Sequence, residues 1–232
     1  MSDQGREDRP DEEVLPTPFS YTARRPVDEL SSLPAAASGL WSSAESIVWG
    51  DEPYVTRFRA VWDRAALTVR FDVSDRRPWH TMTRRDDHLW EEEVVEIFLD
   101  PAGRGRDYAE LEISPANVVC DLLVRAPWPG LRSDPSWHLA GLETRVEPWR
   151  DRDAGPDGWT AVARIPWQGL QPVATEVPMP PRPDDIWRFN VFRIKRPSGP
   201  ERPAADVRLL AWSPTGAPSF HVPATFGKLI FR

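Results

Sequence analysis

The sequence predicts an all-β fold, an antiparallel sandwich of jelly-roll type, and two observations carry that prediction. Short apolar segments alternate with period two and are separated by turn residues along most of the 232-residue chain. The 26 prolines favour short strands joined by ordered loops, because proline ends helices and is tolerated at sheet edges and in turns. No amphipathic stretch is long enough to predict a helix, apart from one helical turn at residues 167–170.

Individual strands are predicted where apolar and polar side chains alternate. Residues 67–73 alternate throughout, which assigns Leu67 to the buried face and Arg70 to the outward one. In residues 94–100 and 108–114 the same pattern directs Glu96 and Glu112 outward on two strands that follow each other. The other predicted strands are residues 54–62, 117–125, 142–148, 159–166, 186–194, 207–212 and 227–231, with an edge strand near residues 19–22.

The chain is predicted to consist of an acidic tail and one domain. Residues 1–14 hold six acids against two arginines, have little to bury, and are expected to be disordered. Residues 15–232 contain no evident linker and are expected to form the sandwich. Because the tail accounts for more than half of the net charge of −7, the domain itself is close to neutral.

Composition excludes several classes of partner. There is no basic stripe for a nucleic-acid backbone, and no apolar run near the roughly 20 residues that span a bilayer. The single cysteine, Cys120, excludes an internal disulfide and is expected to be a small buried side chain. The polar N-terminus has no signal-peptide pattern, so a cytoplasmic location is expected, with secretion left open.

Two segments near opposite ends of the chain carry the most specific pattern. Residues 90–100 read Trp-Glu-Glu-Glu-Val-Val-Glu-Ile-Phe-Leu-Asp, and residues 220–229 read Phe-His-Val-Pro-Ala-Thr-Phe-Gly-Lys-Leu. In this order they resemble the family 9 carbohydrate-binding modules and their DOMON-like relatives, from about Trp41 to Phe231. The resemblance implies a β-sandwich of the kind found attached to xylanases, in which two aromatic rings clamp a terminal sugar.

The resemblance also implies a set of binding residues. It places the two stacking rings at Trp90 and Phe220, and a carboxylate that accepts hydrogen bonds from sugar hydroxyls at Glu96. Glu112 stands where the known binders carry an arginine, so Arg193 is expected to supply the positive charge from another strand of the same face. His221 is expected to line the pocket beside Phe220.

Three functions follow from this set. The leading expectation is non-catalytic binding of a mono- or oligosaccharide. The first alternative is a glycoside-active enzyme that uses Glu96 and Glu112 as paired carboxylates, on a face whose charge Arg57, Arg59 or Arg70 would otherwise neutralise. The second alternative is a sandwich that serves protein interaction without a sugar site, since fold does not dictate function.

A structural calcium ion is the one cofactor that the sequence suggests. The run Asp86-Asp87-His88 and the acids Glu91, Glu92 and Glu93 can supply oxygen ligands of the kind Ca²⁺ prefers. Related modules carry structural calcium, although acidic clusters are most often solvated. The sequence therefore leaves both calcium and the identity of any metal ligands open.

Overall fold

The computed structural model describes residues 19–36, 38–149 and 158–232, and this part of the chain forms two packed sheets that are antiparallel except for one edge strand. In chain order the strands are β1 (Ser20–Ala23), β2 (Ser46–Trp49), β3 (Thr56–Trp62), β4 (Ala66–Ser74), β5 (Val94–Asp100), β6 (Tyr108–Ile113), β7 (Val119–Ala126), β8 (Arg132–Asp134), β9 (Glu143–Trp149), β10 (Gly158–Pro166), β11 (Ile186–Lys195), β12 (Arg208–Ala211) and β13 (Gly227–Phe231). The predicted antiparallel β-sandwich is confirmed.

The larger sheet has the order β1-β13-β11-β5-β6-β7-β8, and β12 pairs with the end of β11. All of its neighbours run antiparallel except β1, which lies parallel to β13. The register of β5 sets the positions that matter below, since Glu96 lies opposite Glu112 on β6 and opposite Phe192 on β11. The smaller sheet has the order β2-β3-β4-β10-β9.

The core lies between the two sheets and is built from the alternating apolar positions. Leu67 and Val69 on β4 face Ile97 and Leu99 on β5 across this core, together with aromatic side chains from several strands. Among the residues whose burial the structure describes, seven tryptophans are buried, and they are Trp41, Trp49, Trp62, Trp159, Trp167, Trp187 and Trp212.

The outer face of the larger sheet is also covered, which the period-two pattern does not reveal. A second apolar cluster lies on it, in which Phe98 and Phe192 pack against Phe220 and Phe226 from the segment that precedes β13. Asn190 on β11 holds this segment, because its side chain donates to the Ser213 carbonyl at 2.8 Å and accepts from the Ser213 amide at 3.1 Å. Side chains that point outward from this sheet are therefore buried.

The glycine that begins β13, Gly227, is required for a steric reason. A Cβ on Gly227 would lie 2.5 Å from the Trp212 ring, so only glycine allows the strand to pass this close. This contact packs the C-terminal end of the segment that precedes β13 against the sheet.

Predicted and observed strands agree well within the described residues. The predicted bounds of β5 and β13 match those observed, and the helical turn at Trp167–Leu170 is present. Two strands, β2 and β8, were not predicted, and they are only four and three residues long. The predicted acidic tail, residues 1–14, lies outside the described residues and stays a prediction. No helix in residues 19–36, 38–149 or 158–232 is long and apolar enough to cross a membrane.

Candidate functional site

Three glutamates form the floor of a pocket on the outer face of the larger sheet. Glu96 on β5 lies directly opposite Glu112 on β6, and Glu110 lies two residues further along β6, on the same face. Their side chains point away from the sandwich core, as predicted for Glu96 and Glu112. All three are nevertheless buried, with 2%, 3% and 0% of Glu96, Glu110 and Glu112 exposed.

The three carboxyl groups lie close together, and most of their oxygens lack a hydrogen-bond partner in the described chain. One oxygen from each lies within 4.8 Å of the others. No hydrogen bond to the protein reaches Oε1 of Glu96, Oε2 of Glu110 or either carboxyl oxygen of Glu112 within the described chain. Burial raises the pKa of all three groups, and the pKa of Glu110 rises to about 8. The neighbouring carboxyl groups add to this rise in pKa for Glu96 and Glu112.

Trp90 and Phe220 line this pocket together. Trp90 stacks one face on His88, with ring centroids 4.5 Å apart and planes 19° from parallel. Phe220 stacks on Phe192 of β11 at 4.2 Å and 18°. Each ring thus has a stacking partner on one face, which favours a defined orientation of the ring.

His221 lines the same pocket, as predicted. Its imidazole is uncharged at neutral pH. Its Nδ1 lies 2.9 Å from the Tyr108 hydroxyl, and its ring stacks on Phe98 at 5.0 Å. Burial lowers the pKa of His221 to about 4. Its Nε2 lies 4.0 Å from Oε2 of Glu110, so it borders the acidic floor without neutralising it.

Arg196 is the cation that lines the pocket, and the sequence analysis did not select it. Its guanidinium donates to three backbone carbonyls, those of Trp90 at 2.7 Å, Glu92 at 3.2 Å and Pro203 at 2.6 Å. The arginine therefore fixes the segment that carries Trp90. No local pattern distinguishes Arg196 from the other arginines, because its role depends on contacts about 100 residues away in sequence.

The pocket has a volume of about 370 Å³, within the range of small-molecule sites. Apolar side chains form the rest of its wall, and Leu131, Val207 and Leu209 are substantially exposed at its edge. An aromatic and aliphatic wall above a polar floor suits a ligand with apolar faces and polar edges.

Comparison with known proteins supports the resemblance stated from the sequence. Residues 35–114 match the family model described as carbohydrate family 9 binding domain-like. The chain resembles family 9 modules in sequence and in fold. The matched residues include the strand from Val94 to Asp100 and the strand that carries Glu112.

Solved structures share the fold of this family 9-like chain. A family 9 carbohydrate-binding module from Caldicellulosiruptor kristjanssonii in complex with cellotriose has a TM-score of 0.64 at 15% identity, covering 92% of this chain and 94% of that one. A family 9 module from the same organism in complex with glucose has a TM-score of 0.64 at 14% identity, covering 92% of this chain and 96% of that one. A candidate carbohydrate-binding protein from Bacteroides uniformis reaches 0.70 at 21%, covering 92% and 99%.

A curated relative gives a second kind of comparison. The protein named "Extracellular protein" from Arthroderma benhamiae is 25% identical over 187 residues, which are 76% of this chain and 78% of that protein. The sequence-based expectation of a cytoplasmic location finds no support in this relative.

The expected position of Arg193 in the family 9-like site is wrong. Arg193 pairs with Val95 and shares its face, so it points to the opposite side of the sheet from Glu96. There its guanidinium donates to Asp75 at 2.7 Å and to the Ser74 carbonyl at 3.1 Å. Asp75 also pairs with Lys195 at 2.9 Å, which makes Arg193 part of a buried ion cluster.

The arginines of the smaller sheet do not neutralise the acidic floor either. Arg57 and Arg59 lie on β3 and Arg70 lies on β4, in the sheet that does not carry the pocket. Arg59 and Arg70 pair instead with Asp72, at 2.9 Å and 2.6 Å. The possibility that these arginines compensate Glu96 and Glu112 is therefore contradicted.

The residues suggested for calcium are divided, because Asp86, Asp87, His88 and Glu91 border one surface pocket that Glu92 and Glu93 do not line. Glu92 accepts hydrogen bonds from the amide and hydroxyl of Thr81, and Glu93 pairs with Lys195. Asp87 accepts from the Arg84 amide at 2.9 Å. Because these carboxylates already have protein partners, the residues present do not fit a calcium ion held by the predicted set.

Asp86 alone of this set joins another group, with Asp121 and His138. Asp121 is already bound by the Arg85 guanidinium and by the Leu139 amide. A neighbouring cation and one nitrogen donor make this group a poor match for Ca²⁺, which takes six to eight oxygen ligands.

Proposed function

We propose that the pocket binds a carbohydrate without transforming it. The observation that carries this proposal is that Trp90 and Phe220, far apart in the chain, line one pocket of about 370 Å³ whose floor is polar. Pyranose C–H faces stack on aromatic rings, while carboxylates accept hydrogen bonds from hydroxyls. The family 9 modules bound to cellotriose and glucose have the same fold, which supports this assignment.

In this proposal Trp90 supplies the main stacking surface. His88 covers one face of the ring, and the partly exposed ring lines the pocket. Phe220 is 7% exposed and forms part of the same lining, while Glu96 and Glu112 accept hydrogen bonds from hydroxyls. His221 and Arg196 hold the surrounding segments in place.

Isothermal titration calorimetry against glucose, cellotriose and a wider sugar panel tests the proposal. We expect Trp90→Ala to weaken binding at least about tenfold, which corresponds to about 1.4 kcal/mol, and Trp90→Phe to retain most of it. Ile186→Ala is the control, because Ile186 is 53% exposed and lies outside the pocket lining. Equal affinity for wild type and Trp90→Ala would remove Trp90 from the site.

A second candidate, glycoside hydrolysis, has one observation in its favour. Glu96 and Glu112 are directly opposed, and burial raises the pKa of both well above the usual range, as in a general acid. Retaining glycosidases place two carboxyl groups about 5–5.5 Å apart. Release of a chromophore from aryl glycosides by wild type, lost in Glu96→Gln with binding retained, would establish this activity.

The remaining alternative, an interaction module without a sugar site, predicts that side chains fill the space between Trp90 and Phe220. Both residues instead border the same open pocket. This geometry favours a small-molecule ligand over a vestigial site.

We also propose that the protein acts outside the cell. Support comes from the relative named "Extracellular protein", which aligns with 76% of this chain. Fractionation of the producing cells, with the protein detected by antibody, tests this. Recovery in the culture medium or bound to the cell exterior would agree with the proposal, and recovery only with cytoplasmic markers would contradict it.

A further inference from the structure

The pocket floor has three acidic groups and no positive partner. Within the described residues, no lysine or arginine forms an ion pair with Glu96, Glu110 or Glu112, and the one basic side chain within 4.0 Å of any of them is the uncharged His221. Arg196, which lines the same pocket, directs its guanidinium to backbone carbonyls. Buried carboxylates without a partner are costly, so the arrangement needs either protons or a cationic ligand.

The spacing of the three carboxyl groups fits a protonated amine. An ammonium group has three N–H donors, and the floor offers one oxygen from each of three glutamates, all within 4.8 Å of one another. A nitrogen about 2.8 Å from three oxygens in tetrahedral directions holds those oxygens about 4.6 Å apart. Glu96, Glu110 and Glu112 each offer an oxygen without a hydrogen-bond partner, and an oxygen of each lies within 4.8 Å of the other two, close enough for one nitrogen to contact all three.

The walls of the pocket favour an amine over a metal ion. Ca²⁺ takes six to eight oxygen ligands. Above the three glutamates the lining consists largely of apolar side chains, among them Leu122, Ile194 and Leu209. An amine attached to a sugar ring needs no further oxygen ligands, and the ring itself contacts the apolar and aromatic wall.

We propose that the ligand is an aminodeoxy sugar, whose protonated amine is held by Glu96, Glu110 and Glu112 while its ring stacks on Trp90. This inference rests on the proposed sugar-binding function of the pocket. It also accounts for an acid at position 112, because a floor of carboxylates selects a cationic sugar over a neutral one.

Calorimetry at neutral pH with four probes tests the inference. The probes are D-glucosamine, 6-amino-6-deoxy-D-glucose, D-glucose and N-acetyl-D-glucosamine, the last of which keeps the C2 nitrogen without its charge. We expect at least one amine to bind wild type about tenfold or more tightly than either neutral sugar, because charge-assisted hydrogen bonds are stronger than neutral ones. Glu112→Gln should reduce this preference several-fold, and the triple Gln variant at positions 96, 110 and 112 should abolish it.

Glu143→Gln is the matched control, since it removes one exposed acid from β9 on the other sheet. Equal loss of amine preference in Glu143→Gln and Glu112→Gln would mean that the net charge attracts the amine, which overturns the inference. If the triple variant does not fold, Glu112→Gln alone decides the result.

The remaining outcomes separate the inference from the proposed function. Glucose binding with no preference for either amine would overturn the inference and leave sugar binding intact. Binding of none of the panel by folded protein would overturn both. Neutral-sugar affinity that appears with CaCl₂ and disappears with a chelator would identify the occupant of the floor as a metal ion, and would also overturn the inference.

Discussion

Glu96 and Glu112 lie directly opposite each other on neighbouring antiparallel strands, and both carboxyl groups are buried without a hydrogen bond at Oε1 of Glu96 or at either oxygen of Glu112. Side chains of like charge that lie directly opposite each other on neighbouring strands destabilise a sheet, even on an exposed face. Here the covering segment before β13 removes water as well. The site is therefore held in the fold at a cost in stability, as binding sites commonly are.

Replacing Glu112 with glutamine should stabilise the ligand-free protein. Burial raises the pKa of Glu112, so its ionised form is less stable in the folded than in the unfolded chain. The contribution of these glutamates to the unfolding free energy should thus be most favourable below about pH 4 and should fall as pH rises toward the raised pKa values, that of Glu110 being about 8. Urea titrations across this range should give Glu112→Gln a shallower fall and a higher unfolding free energy than wild type at neutral pH. Parallel curves for the two proteins would contradict the prediction.

The sequence predicted the strands that carry the site and missed much of what surrounds it. Alternation placed Glu96 and Glu112 on one face because strand parity is a local property. Their burial depends on a segment more than 100 residues later in the chain, and no local pattern reports such a contact. Parity also explains the error at Arg193, since neighbouring positions on β11 face opposite sides and the register with β5 was unknown.

Replacing Arg193 with methionine should destabilise the fold while leaving sugar affinity unchanged in the protein that remains folded. Arg193 is 1% exposed and pairs with Asp75, and its removal leaves a buried carboxylate with less compensation. Breaking a buried pair from one side costs about 3–5 kcal/mol. Chemical unfolding measures the loss, and Arg57→Met, at an exposed arginine of β3, should change stability by no more than about 0.5 kcal/mol. If fully folded Arg193→Met bound sugar more weakly than wild type, Arg193 would belong to the binding site and the prediction would be wrong.

Arg196 should act as a positioning residue for Trp90. Its guanidinium donates to the Trp90 carbonyl at 2.7 Å and to the Glu92 carbonyl at 3.2 Å, so it fixes the backbone that carries the ring. We expect Arg196→Met to weaken sugar binding about three- to tenfold, and Arg196→Lys to recover part of the loss, since lysine provides fewer fixed donors. Calorimetry gives the affinities, and tryptophan fluorescence reports the environment of the indoles. A thermal shift without any change in affinity would show that Arg196 only stabilises the fold.

His221 should remain uncharged through the range in which most histidines titrate. Burial lowers the pKa of its imidazole to about 4, and its Nδ1 is engaged with the Tyr108 hydroxyl at 2.9 Å. Because the unfolded histidine takes up a proton near pH 6.5, the stability that the neutral ring confers is complete above that pH and is lost as pH falls toward 4. The loss amounts to about 3 kcal/mol. The difference in unfolding free energy between wild type and His221→Phe isolates it from the opposite trend of the glutamates, and NMR titration of the ring protons gives the pKa directly. A midpoint above pH 6 would mean that the imidazolium forms inside the pocket and contributes a positive charge beside Glu110, which would also remove the reason for a cationic sugar.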